Sequence, residues 1–108
     1  MQYLFDSRGR HIANEVNGEL HAPGGSNIGH CIKDSKIFID MRGRYLGEIV
    51  QGNRLLYDRQ SPHRSTNYGS FGSYGSVGSF GSPGSCGSIG MPGGYEDVDT
   101  SEWMGRSD

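Results

Sequence analysis

The 108-residue chain is poor in apolar residues and cysteine, and it contains no long hydrophobic run. Only 32% of its residues are hydrophobic, against about 45–50% in globular domains, so the whole chain cannot form one packed core. No stretch of about 18 apolar residues occurs, which excludes a transmembrane helix and argues against a membrane partner. Two cysteines are too few for a disulfide framework or a four-thiolate zinc site. The first eight residues show no basic segment followed by an apolar one, so we expect no secretory signal and a cytoplasmic location.

Glycine is the residue in excess, and much of it lies in a triplet repeat. The unit X-Gly-Ser occurs seven times over residues 68–88, and residues 67–94 hold ten of the 19 glycines. Such a segment buries too little surface to offset the cost of ordering its backbone, about 1–2 kcal/mol per residue. We predict a disordered low-complexity linker at 63–94, which acts as a tether or as a weakly self-associating aromatic tract.

Charge divides the chain in the same way. Residues 1–66 hold nine Lys and Arg against seven Asp and Glu, whereas residues 67–108 hold one against five. The linker therefore separates a β-hairpin repeat domain at 2–62 from an acidic C-terminal tail at 95–108. That tail carries the only tryptophan, Trp103, and is either a solvated end or a short docking segment.

Residues 1–66 contain an internal repeat of four-residue turns, which start at positions 6, 22, 40 and 58. Aspartate at the first turn position and glycine at the fourth favour a type I turn closed by a left-handed glycine. Glycine after Asn17 and after Gln51 favours two-residue hairpin turns. The predicted structural turn residues are Asp6, Gly9, Gly18, Gly25, Asp40, Gly43 and Gly52.

The segments between these turns are short, rich in β-branched and aromatic residues, and without a helical period. About seven or eight short strands are predicted, and seven segments carry the pattern: Tyr3–Phe5, Arg10–Val16, Glu19–Ala22, Asn27–Ile32, Ile37–Met41, Arg44–Val50 and Arg54–Asp58. One hairpin is marginal in water, but four arranged around an axis can cover each other's apolar faces and edges. The predicted fold class is all-β, a small pseudo-fourfold, barrel-like arrangement of hairpins with a disordered Gly/Ser-rich C-terminal tail. The expected core comprises Leu4, Ile12, Val16, Leu20, Ile28, Ile32, Ile37, Ile39, Leu46, Ile49, Val50, Leu55 and Leu56.

The strings at residues 4–12 (LFDSRGRHI) and 38–50 (FIDMRGRYLGEIV) resemble the small bacterial 4-fold β-flower family. The resemblance covers about residues 2–60 and implies four hairpin petals; it implies no activity. The second and fourth turns, at Ala22-Pro23 and Ser61-Pro62, depart from the Asp-x-x-Gly pattern. A second, shorter resemblance is to the PRC-barrel type of small β-barrel, through residues 43–49 (GRYLGEI).

Two turns present the sequence Arg-Gly-Arg, and these are the strongest binding candidates. Arginine with neighbouring aromatic rings suits phosphate backbones and stacked bases, but it also suits an acidic protein segment, including the chain's own tail. The net charge of residues 1–66 is small for a nucleic-acid-binding domain. The candidate binding residues are Arg8, Arg10, Arg42, Arg44 and Tyr45.

The sequence gives little support for metal binding or catalysis. His11, His21 and His30 occupy different repeat positions, so we expect no symmetric metal site. No cofactor, catalytic residue or Cys31–Cys86 disulfide is expected, and we predict that the chain is not an enzyme. We expect a non-catalytic interaction or assembly module with an unknown protein partner or a second copy. The alternative is a module that binds nucleic acid or a small ligand through its arginine-bearing turns.

Overall fold

A computed structural model describes residues 1–32, 35–70, 75, 81 and 83–104. Its strands form one sheet in sequence order. The first seven strands coincide with the seven predicted from the sequence to within two residues at each end. The elements are β1 Gln2–Phe5, β2 His11–Val16, β3 Glu19–His21, β4 Asn27–Cys31, β5 Ile37–Asp40, β6 Tyr45–Val50, β7 Arg54–Asp58, a 3₁₀ turn Pro62–Ser65, β8 Tyr95–Asp97 and the single helical turn α1 Ser101–Met104.

The sheet closes on itself as a seven-stranded barrel. β1 runs parallel to β7 at Phe5 and Arg54, while the other paired neighbours are antiparallel. The Phe5 amide donates to the Asn53 carbonyl at 2.9 Å, and the buried Arg54 guanidinium donates to the Asp6 carbonyl at 3.0 Å. Closure leaves few strand edges open to other chains.

The fold class predicted from the sequence is confirmed as all-β and barrel-like, built from consecutive hairpins. The Gly/Ser tract supplies no regular element within its described part, because residues 67–70, 75, 81 and 83–90 form neither helix nor strand.

The four turns that start at positions 6, 22, 40 and 58 lie at the same end of the barrel. In each, the amide of the fourth residue donates to the carbonyl of the first, at distances between 2.8 and 3.1 Å. The carboxylates of Asp6 and Asp40 each accept two further amides from their own turns, at 2.8 to 3.0 Å. Gly9 and Gly43 close their turns with φ of 88° and 83°.

Each of the first three hairpins carries a β-bulge next to its turn. The register shifts between Leu4 and Phe5, between Leu20 and His21, and between Phe38 and Ile39. One extra residue therefore stands in the opposite strand, and these residues are Ile12, Ile28 and Leu46. A bulge bends its strand and leaves a residue out of the ladder.

The core follows the barrel interior and differs in part from the expected set. Seven expected residues are buried: Leu4, Ile12, Leu20, Ile39, Leu46, Leu55 and Leu56. The other six expected residues, Val16, Ile28, Ile32, Ile37, Ile49 and Val50, are only partly buried. Phe38, Ala13 and Val98 join the core cluster instead. Phe38 and Ala13 lie beside bulges, where the alternation of inward and outward side chains is interrupted, and Val98 follows the added strand β8.

Strand β8 lies outside the predicted strands. The acidic end at 95–108 was expected to follow the hairpin domain, but Tyr95–Asp97 pairs with β7 and Val98 is 8% exposed in the core. Because β8 pairs antiparallel with β7, the turn at 58–61 also lies beside two paired strands, as the other three turns do. A long connection of 36 residues, 59–94, separates the two strands, and local pattern alone does not predict such a distant pairing.

Candidate functional site

The edge of β7 is shared by two different strands. β1 pairs with it at Arg54, and β8 pairs with it further along, from Leu56 to Asp58. The last residue of β8 contacts the turn that follows β1, where the Asp97 carboxylate accepts the Ser7 amide and hydroxyl, both at 2.8 Å. β8 therefore adds to an edge that β1 leaves uncovered, which is strand addition of the kind many peptide-binding domains use.

A pair of tyrosines holds β8 against β6 through one carboxylate. Tyr45 and Tyr95 donate their hydroxyls to the two oxygens of Glu48, at 3.0 and 2.8 Å. The Tyr45 hydroxyl also accepts the Asp58 amide at 3.0 Å. The hydrogen bond to Glu48, followed by burial, raises the pKa of Tyr95 to about 12, and burial raises the pKa of Tyr45 in the same direction. Both phenols are therefore neutral donors at ordinary pH.

The residue after β8 is an apolar anchor. Val98 is 8% exposed and belongs to the core cluster. It lies over Gly47, where a β-carbon would come within 3.0 Å of the valine Cγ2 and 2.8 Å of the Leu56 carbonyl. Gly47 thus leaves room for the valine side chain at the barrel wall.

The single tryptophan binds the barrel at a bulge. The Trp103 indole packs against the core, and its Nε1 donates to the Ile12 carbonyl at 2.7 Å. Ile12 is the extra residue at the first bulge, so its carbonyl is available to a donor outside the ladder. Two helical hydrogen bonds to the Thr100 carbonyl, from the amides of Trp103 and Met104, fix the turn that presents the indole.

A groove of about 590 Å³ lies between this segment and the third hairpin. We call it the arginine groove. Its lining comes from β4, the third turn, β6, β7, the 3₁₀ turn and the C-terminal segment: Asn27, Ile28, Asp40, Met41, Arg42, Arg44, Tyr45, Leu46, Tyr57, Arg64, Val98, Asp99, Glu102 and Trp103.

The charges in the arginine groove are balanced between the barrel and the C-terminal segment. Arg42 and Arg44 each place a guanidinium nitrogen 3.8 Å from the same Glu102 oxygen. Arg44 is also held by Asp40, with Nε donating to Oδ2 at 3.0 Å. The side chains of Glu102, Arg42 and Arg44 are each more than half exposed. These ion pairs therefore orient the C-terminal segment more than they stabilise its binding.

The structure brings only some of the predicted binding residues together. Arg42, Arg44 and the buried Tyr45 line the groove. Arg10 lies at the first turn, where its guanidinium donates to Thr100 Oγ1 at 3.2 Å and faces Asp6. Arg8 is exposed on the same turn and does not line the groove.

Several contact residues were not found from the sequence. Glu48, Gly47 and Asp97 gave no signal, because their partners lie about 50 to 90 residues away along the chain. Trp103 did give a signal, since a lone tryptophan in an acidic end is typical of a docking segment.

The histidines lie in separate environments. His11 Nε2 is 2.8 Å from Asn14 Oδ1, while His21 contacts the Gly25 carbonyl and the Glu19 carboxylate. Within residues 1–32, 35–70, 75, 81 and 83–104, no three His, Cys, Asp or Glu side chains are grouped as a metal ion would require.

None of the helices in the described part of the chain is long and apolar enough to cross a membrane. Comparison of the chain with protein-family models, with curated proteins and with solved structures finds no match to any of them.

Proposed function

We propose that the barrel is a non-catalytic interaction module that binds an extended acidic peptide ending in an aromatic side chain. The observation that carries the proposal is the position of residues 95–104, which form a strand on β7 and continue along the arginine groove. A long Gly/Ser-rich connection joins this segment to the barrel. The segment therefore occupies the site as a ligand attached to its own receptor.

Three kinds of contact define the peptide that the site accepts. The main chain of the peptide pairs with β7, and these hydrogen bonds contribute affinity whatever the side chains of the peptide are. Val98 and Trp103 supply the apolar anchors, and Asp97 and Glu102 supply charges that face Ser7 and the two arginines. Valine and tryptophan five residues apart, with carboxylates between and before them, form the expected recognition pattern.

The same contacts favour a peptide over nucleic acid. The β7 edge and the Ile12 carbonyl call for main-chain and N–H donors, which a phosphate backbone lacks. Once the attached segment has left, the groove presents three arginines, Arg42, Arg44 and Arg64, against the one carboxylate of Asp40. Three arginines are few beside the roughly six to ten phosphate contacts of a DNA-binding protein, so little counterion release is available to drive nucleic-acid binding.

An attached ligand sets the conditions under which a partner can bind. A tethered segment has an effective concentration in the millimolar range for short flexible linkers, and lower for longer ones. A partner peptide must therefore bind more tightly than residues 95–104 do, or be present at high local concentration. The module is closed at rest and opens to a partner by exchange.

The test is a titration with a fluorescent peptide that copies residues 93–104. The titrated proteins are the full chain and its Val98→Asp variant, in which a carboxylate replaces the isopropyl group packed in the core cluster and so releases the attached segment. We expect saturable binding to the variant and binding about tenfold weaker to the full chain, because the attached segment competes. A second release variant, Trp103→Ala, guards against unfolding of the first.

The control peptide carries aspartate at the valine position and should not bind either variant. Equal binding of the copied peptide to wild type and release variants, or no binding to either release variant, would overturn the proposal. A labelled single-stranded oligonucleotide added to the same proteins at low salt tests the nucleic-acid alternative, and we expect no saturable binding.

Two further points remain predictions from the sequence. Membership of the β-flower family is supported by four hairpins whose turns share one hydrogen-bond pattern. The cytoplasmic location stays an expectation from the sequence.

A further inference from the structure

The two Arg-Gly-Arg turns make the same contact with the X-Gly-Ser tract. The Tyr68 amide donates to the Gly43 carbonyl, and the Cys86 amide donates to the Gly9 carbonyl, both at 2.9 Å. Tyr68 and Cys86 are each the first residue of an X-Gly-Ser unit. Gly9 and Gly43 are each the last residue of their turns. One backbone contact is thus repeated at two equivalent places.

Glycine at the turn makes this approach possible. A β-carbon on Gly43 would collide with the backbone of Gly69, and one on Gly9 would collide with the carbonyl of Cys86. The tract therefore lies directly on the bare face of each turn. At the first turn a second hydrogen bond, from the Ile89 amide to the Ser7 carbonyl at 2.8 Å, extends the contact.

The other two turns are engaged within the barrel. The Gly25 carbonyl at the second turn faces the ring of His21, with Nδ1 at 2.9 Å. The Ser61 carbonyl at the fourth turn accepts Arg64 Nε at 3.3 Å. The turns that bind the tract are thus the two that carry glycine between arginines.

The repeated hydrogen bond uses main-chain atoms, so it does not require a particular side chain at X. The two X side chains add different contacts, since the Tyr68 hydroxyl lies 2.6 Å from His63 Nδ1 and Cys86 Sγ accepts Asn53 Nδ2 at 3.9 Å. Tyrosine and cysteine differ in size and polarity, yet both donate the same amide to the same turn position. Any of the seven units in the tract has the required backbone, proline at position 83 excepted because it lacks an amide hydrogen.

We propose that the Gly9 and Gly43 turns are docking sites for X-Gly-Ser units of a second copy of this chain. Each chain carries seven units but only two such turns, so the units exceed the sites. When a unit of one copy replaces the unit of another at a turn, the same hydrogen bond to the glycine carbonyl forms between the two copies. Two sites and several units per chain give a multivalent, concentration-dependent association. The Gly9 turn lies outside the arginine groove, whereas the Gly43 turn adjoins it through Arg42 and Arg44; neither turn belongs to the β7 edge.

The test measures self-association of the full chain by sedimentation over a wide concentration range. The blocking variant is Gly9→Ala with Gly43→Ala, which places a methyl group at each contact. The matched control is Gly52→Ala, since Gly52 has a φ of 89° and open space around its β-carbon position. It bears a similar backbone strain without touching the tract. We expect the mean mass of wild type and control to rise with concentration, and association of the blocked variant to be weaker by about tenfold.

A second measurement keeps the result independent of folding. An unlabelled peptide copying residues 67–90 is added to the isotopically labelled full chain, and amide shifts are followed by NMR. We expect perturbations confined to residues 7–10 and 42–44. A chain that stays monomeric at all concentrations, a blocked variant that associates as strongly as the control, or shifts confined to the β7 edge would overturn the proposal. The last outcome would leave the groove proposal intact.

Discussion

The barrel and the C-terminal segment are held by different kinds of contact. The barrel buries Leu4, Ile12, Leu20 and Leu55 completely and closes its ladder through seven strands. Residues 95–104 rest on three strand pairings, one valine, one indole and a few side-chain hydrogen bonds. We therefore expect the barrel to stay folded when the segment leaves it, and the segment to lose its structure. This difference is what makes the segment comparable to a ligand.

The largest effect is expected from a change in the barrel interior. Leu20→Ala removes a fully buried side chain and should lower the free energy of unfolding by about 3 kcal/mol. Urea unfolding followed by far-UV circular dichroism measures it. Met91→Ala, at a side chain 42% exposed in the tract, serves as the control and should change stability by less than about 0.5 kcal/mol. Equal losses of unfolding free energy in the two variants would contradict a hydrophobic core inside the barrel.

A smaller effect is expected when the anchor of the segment is shortened. Val98→Ala should weaken docking by about 1–2 kcal/mol through lost apolar burial, while the far-UV spectrum of the barrel persists. Trp103 is the only tryptophan, so a red shift of its emission reports release directly. Loss of the barrel spectrum together with the red shift would show that the segment is an integral part of the core.

The tyrosine contact should make docking sensitive to alkaline pH. Docking raises the pKa of Tyr95 from 10.0 to about 12, so the neutral phenol favours the docked state. The contribution is complete below about pH 10 and is lost as pH rises toward 12. Tyr95→Phe should weaken docking by about 1 kcal/mol and reduce this pH dependence. Tryptophan emission against pH, compared between the two proteins, is the measurement. Parallel pH curves would contradict a role for Tyr95.

The smallest effect is expected from the charge pairs of the arginine groove. Glu102→Gln removes the carboxylate that lies 3.8 Å from both Arg42 and Arg44. Because these side chains are largely exposed, docking should weaken by about 0.5 kcal/mol or less, and salt should remove the difference. Glu96→Gln, at an exposed residue of β8, is the matched control. If Glu102→Gln weakened docking more than Val98→Ala does, charge and not apolar burial would be the main contribution to the free energy of docking.

The sequence predicted the barrel well because its signals are local. The Asp-x-x-Gly turns at 6 and 40, the hairpin turn at Asn17 and the alternation between them are readable within a few residues. The bulges have no clear local signal, and two core residues beside them, Phe38 and Ala13, were not in the expected core. Val50 was expected in the core, but it is the last residue of β6, next to a turn, and is only partly buried.

The site was predictable only in part, since it depends on contacts between distant residues. Arg42, Arg44 and Tyr45 were singled out and do line the groove. The role of Glu48 depends on Tyr95, 47 residues further along the chain. No spacing rule links them, because the connection between β7 and β8 runs through the Gly/Ser tract.

Native-state hydrogen exchange on the full chain tests the central claim most directly. If residues 95–104 bind the barrel as an attached ligand, the amides of β8 exchange through a local opening, faster than those of β2, β3 and β6, which exchange through global unfolding. In the Val98→Asp variant, β8 protection should disappear while barrel protection remains. Protection of β8 equal to that of the barrel core, lost only together with it, would contradict the claim and make β8 an inseparable eighth strand.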